Sequence, residues 1–86
     1  MIADVPAEAV GAFQEYERRV LPLLPGHRGR LERRLRSGDG LSEVHVISFD
    51  SREAYEAYLA DPVRAGHRPL IESAGVVQRL LEVMDV

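Results

Sequence analysis

Between Ala7 and Leu24 the apolar residues Ala9, Val10, Phe13, Tyr16, Val20, Leu21 and Leu24 recur in steps of mostly three and four, which predicts one amphipathic helix. Pro22 lacks a backbone donor and should loosen its last turn, and Pro25-Gly26 closes it. From Arg30 to Arg36 the period falls to two, with Leu31 and Leu35 on one face and Arg30, Glu32, Arg34 and Arg36 on the other. Ser37-Gly38-Asp39-Gly40 supplies a tight turn, and Leu41 to Phe49 resumes as a Val- and Ile-rich strand paired antiparallel to the first.

Asp50 is expected to cap the next helix, with Glu53 in the capping-box position and Ala54, Tyr55, Tyr58 and Leu59 on its apolar edge. Asp61-Pro62 reads as an N-cap followed by proline at the first helical position. Val63, His67, Leu70 and Ala74 then share a face, so His67 is expected to point inward. Pro69 should distort this piece without ending it, and Gly75 releases the chain into a last strand, Val76 to Val86. Met1 to Val5, ended by Pro6, reads as a short first strand.

The order strand, helix, strand, strand, helix, strand predicts an α+β chain of the ferredoxin-like βαββαβ type: an antiparallel sheet with its helices on one face. Residues 1–86 are expected to form one domain, since a chain this short supports only one core. The last strand carries Val77, Leu81 and Val83 on one face and Leu80, Met84 and Val86 on the other. A second copy is therefore expected to cover the open sheet face, giving a homodimeric α+β barrel around a cavity.

Composition narrows the chemistry. The chain is 45% hydrophobic and 29% charged, with a net charge of -3. No apolar run nears the roughly 20 residues of a membrane span, and the basic start of a signal peptide is missing, so the cytoplasm is the expected location. With no cysteine there is no disulfide, thiolate zinc site or cysteine nucleophile. All 11 basic residues are arginine, which removes lysine chemistry. Five of them lie between Arg28 and Arg36, where they can bind an anion or pair with Glu32, Asp39 and Glu43 on an exposed face; pairing is the expectation. A negative chain with three Tyr and two Phe as its only aromatics is not expected to bind nucleic acid. It also lacks a P-loop, a G-x-S-x-G elbow and a dinucleotide-binding glycine turn.

The segments YERRVLPLLPGHRGRLERRL and VHVISFDSREAYEAYLADPVRAGHRPLIE resemble the dimeric α+β barrel superfamily, in particular its uncharacterised bacterial families and, more loosely, the antibiotic-biosynthesis-monooxygenase family. The resemblance runs from Pro6 onward through Gly29, the strand end Phe49-Asp50, and the helix break Asp61-Pro62. It implies homodimers with sheets face to face and a full central first strand. Here that strand is reduced to Met1–Val5, and the expectation is that the native start lies upstream. In haem-degrading relatives a histidine six residues after an aspartate ligates iron, a spacing matched by Asp61 and His67. Those enzymes also use a tryptophan and an asparagine, and this chain has neither.

Three residues are candidates for chemistry: His67, His45 and Tyr58. His67 is a packed helix histidine or, in a haem-binding alternative, an axial ligand. His45, between Val44 and Val46, faces either the helix-covered core or the dimer cavity, where it can serve as a base near neutral pH. Tyr16, Tyr55 and Tyr58 suit an apolar wall with a polar tip. His27, among loop glycines, is expected in solvent, and no metal site is expected from the three histidines.

The functional expectation is a small-molecule-binding dimer holding a hydrophobic or aromatic metabolite without a cofactor, in its catalytic form a cofactor-independent monooxygenase or isomerase. The alternative is a non-catalytic dimerisation module.

Overall fold

The structure is a computed structural model that describes residues 1–86. The first amphipathic stripe folds as a 3-10 turn at Ala7–Ala9, helix α1 (Val10–Val20) and a second 3-10 turn at Leu21–Leu23. Pro22 sits where the α-helical ladder tightens into that turn. The remaining helices are α2 (Arg52–Leu59) and α3 (Pro62–Glu72), and the strands are β1 (Ile2–Asp4), β2 (Gly29–Arg36), β3 (Ser42–Phe49) and β4 (Val77–Arg79). They form one four-stranded antiparallel sheet in the order β2-β3-β1-β4. This α+β arrangement is compatible with a ferredoxin-like fold.

Two caps act through side chains. The Ser51 hydroxyl, not Asp50, receives the Ala54 N–H at the start of α2. Asp61 accepts from the Val63 and Arg64 N–H groups, with Pro62 at the first helical position as expected. Pro69 stays inside α3, which continues to Glu72.

The core joins Ala3, Val5, Phe13, Tyr16, Val20, Leu24, Tyr58, Ile71 and Val76. Its floor includes a tight backbone approach at Gly29, paired with Phe49, where an added Cβ would stand 2.7 Å from the Phe49 ring.

Four further sequence expectations change. β2 pairs Leu31 with Ile47 but Arg33 with Val46, so the extra residue, Glu32, forms a bulge. A bulge reverses the parity of every later side chain. Leu31 and Leu35 therefore lie on opposite faces, and Arg34 and Arg36 turn toward the helices beside His45 and Glu43. In α3 the fully buried residues are Arg64 and Ile71; on the face expected to point inward, Val63 and Leu70 are 51% and 38% exposed, while His67 and Ala74 are half-buried. The last strand stops at Arg79, and Leu80–Val86 has no regular structure. His27 is not in open solvent: its Nε2 lies 2.6 Å from Asp61 Oδ2, and its ring meets Tyr58 edge-on.

Candidate functional site

Glu17 is a carboxylate at a core position. Phe13, Tyr16 and Val20 fix the buried face of α1, and Glu17 falls within it at 4% exposure. β3 brings Glu43 and His45 to the same side of the sheet, both 3% exposed, and the bulge in β2 delivers Arg34 and Arg36. His45 Nε2 lies 2.8 Å from Glu17 Oε2 and 2.9 Å from Glu43 Oε1. Arg34 bridges the carboxylates at 2.7 Å from Glu17 and 2.9 Å from Glu43, and Arg36 donates to Glu43 through Nε and Nη2.

Nε2 faces two carboxylate oxygens, which places the ring proton there: Glu43 Oε1 is its hydrogen-bond partner, and Glu17 Oε2 lies within ion-pair range. Burial pulls the His45 pKa down, but its contacts with the charged Glu17 and Glu43 outweigh it and hold the group above its ordinary value. Burial likewise pushes Glu43 up, and Arg34, His45 and Arg36 overcome this to bring it down to about 2.

Glu17, Glu43 and His45 offer three ligand atoms within 4.8 Å of one another, the spacing of a metal site. A divalent cation there would displace the Nε2 proton and sit against Arg34, which already contacts both carboxylates. Two guanidiniums balance two carboxylates, so charge pairing accounts for the cluster.

His45 is also where this cluster meets an apolar cleft of about 330 Å³. The cleft lies beyond the last rung of the β1–β3 ladder, where the His45 N–H donates to the Met1 carbonyl at 2.8 Å. Val46, Ile47 and Phe49 of β3 form one wall and Leu80–Val83 the other; Tyr55, Tyr58 and Leu59 of α2 close it. Phe49 packs against both Tyr55 and Tyr58, at 5.3 and 5.5 Å between ring centres, which fixes the aromatic end.

A smaller cavity of about 40 Å³ shares Met1, His45, Ile47, Tyr58 and Leu80 with the cleft and adds Tyr16, Glu17 and Arg64. Arg64 is 6% exposed, with its guanidinium carbon 5.1 Å from the centre of the Tyr58 ring. Burial raises the pKa of Tyr58 and Tyr16, and the Arg64 charge opposes the rise at both.

Of the three expected site residues, His45 and Tyr58 meet at the cleft. His67 does not: it lines neither cavity and is half-buried on α3. Sequence reasoning passed over Glu17 and Arg64. Glu17 carried a usable signal, a charge at the i, i+4 position of a stripe formed by Phe13, Tyr16 and Val20. The Arg64 signal was weaker, a seven-residue spacing to Ile71 that competed with the more apolar but more exposed face of α3.

No helix is long and apolar enough to cross a membrane. Searches against family profiles, curated proteins and solved structures found no match to the chain.

Proposed function

We propose that this chain is a small-molecule-binding protein of the ferredoxin-like, dimeric α+β barrel kind, and that its cleft holds a hydrophobic or aromatic metabolite. The observation that carries the reading is the cleft itself: 12 of its 14 lining residues are hydrophobic, its volume suits a small organic molecule, and His45 stands in the wall. In a catalytic form, cofactor-independent oxygenation or isomerisation, His45 is the acid–base group, and the Tyr58 phenol, kept neutral by burial, orients the substrate.

Dimerisation through the open sheet face is part of the proposal. Pairing register puts Ile2, Arg33, Leu35, Val44, Val46 and Val77 on that face, with Leu35, Val46 and Val77 at 42%, 40% and 58% exposure. This favours a second copy as the cover, because an apolar sheet face left in water is an association surface.

The test is a calorimetric titration of 1-octanol into wild-type protein and into Ile47→Trp, which fills the cleft. Saturable binding that Ile47→Trp abolishes supports the reading, and no saturable binding, or equal binding by both, refutes it.

A further inference from the structure

Arg64 is the one buried guanidinium in the molecule that forms no ion pair. Its contacts are a long 3.5 Å hydrogen bond to the Leu59 carbonyl and the face of Tyr58, and its Nε is buried with no partner. Buried charges in proteins are normally paired, because removing an ion from water without a counter-charge is costly. Even the more exposed arginines on the helix side, Arg34 and Arg36, are paired, with Glu17 and Glu43.

We propose that Arg64 anchors the anionic head of the cleft's ligand, which would be an apolar carboxylic acid with its carboxylate in the small cavity and its hydrocarbon body in the cleft. This rests on the cleft being a ligand site and adds the class of ligand.

Three observations carry it. The small cavity, at about 40 Å³, has room for a head group of one or two polar atoms, and it shares five lining residues with the apolar cleft. Of the charged side chains that line it, Glu17 is paired with Arg34, whereas Arg64 forms no ion pair. Glu17 borders the same cavity, but Arg34 and His45 lie 2.7 and 2.8 Å from its carboxylate oxygens, so its charge is already paired. A planar guanidinium presents paired N–H groups that match a carboxylate. The competing occupant is a water molecule bridging Arg64 Nε and Glu17 Oε2, the two buried polar atoms without hydrogen-bond partners.

The experiment compares octanoate with 1-octanol, equal in chain length and different in charge, by calorimetry at pH 7 on wild type, Arg64→Met and Arg64→Lys. Wild type is expected to bind octanoate about tenfold or more tightly than 1-octanol, as a charge-assisted contact implies. Arg64→Met is expected to lose that preference while still binding 1-octanol, and Arg64→Lys to keep part of it. Equal affinity of wild type for the two probes overturns the anion anchor, favours the bridging water, and leaves the apolar cleft standing. A preference that persists in Arg64→Met also overturns it. Binding of neither probe removes the cleft reading as well. The wild-type comparison needs no variant, so the proposal is testable even if Arg64→Met does not fold.

Discussion

Glu17 Oε1 and Arg34 Nη2 meet at 2.7 Å and tie the first helix to the edge strand across the buried side of the sheet. The carboxylate is 4% exposed, and His45 sits 2.8 Å from its other oxygen. An ion pair at such a depth is expensive to break from one side. Glu17→Ala removes one of the two carboxylates that meet Arg34 and His45, Glu43 remaining, and is expected to lower the unfolding free energy by about 1–3 kcal/mol. Urea denaturation measures this, and a loss under about 1 kcal/mol would show that the cluster contributes as little as a surface pair.

The same cluster sets the pH dependence. His45 titrates higher in the folded chain than its ordinary 6.5, so its contribution is complete below that value and is lost as pH rises through the raised one. Glu43 is lowered from 4.5 to about 2, so its contribution is present above 4.5 and is lost as pH falls toward 2. Stability should therefore peak between about pH 4.5 and 6.5. In His45→Gln the decline on the alkaline side is expected to flatten while the acid limb remains. Thermal unfolding across pH 2–9 follows both limbs, and an alkaline limb unchanged by His45→Gln would assign it to another group.

Two glycines are expected to respond oppositely to alanine. Gly29→Ala drives a methyl to 2.7 Å from the Phe49 ring and 3.0 Å from Leu24, an overpacking that costs about 1–3 kcal/mol. Gly66, inside α3 with nothing within 4 Å of a new Cβ, should gain about 0.5–1 kcal/mol through helix propensity. Chemical denaturation of the pair checks both signs, and a stabilising Gly29→Ala would mean that Phe49 moves freely aside.

Val46→Lys places a charge on the open face, beside Val44 and opposite Arg33. The variant is expected to sediment as a monomer at concentrations where wild type is a dimer. Sedimentation of wild type as a monomer at high concentration would remove the dimer from the proposal.

Much of the layout was legible because it depends on periodicity. The α1 stripe, the hairpin at Ser37–Gly40 and the Asp61-Pro62 helix start each rest on local rules that tertiary packing did not override. The site was less legible for three physical reasons. One bulged residue, Glu32, reversed the parity of β2 and carried Arg34 and Arg36 from the expected wet face to the helix side. On α3, hydrophobicity favoured the face of Val63 and Leu70, whereas packing chose Arg64 and Ile71. Arg64 lies against Tyr58, a contact between separate helices that no local pattern encodes. His45 was recognisable as a candidate, but its face followed only once strand register set it beside Glu17 and Glu43.

The most direct measurement of whether the cleft beside His45 takes an apolar ligand is a methyl-resolved NMR titration of wild-type protein with 1-octanol. Saturable shifts confined to Ile47, Leu59, Leu80 and Leu81, with Leu35 and Val77 on the open face unmoved, are the expected result. Shifts centred on Leu35 and Val77, or none that saturate, would contradict a ligand site in the cleft.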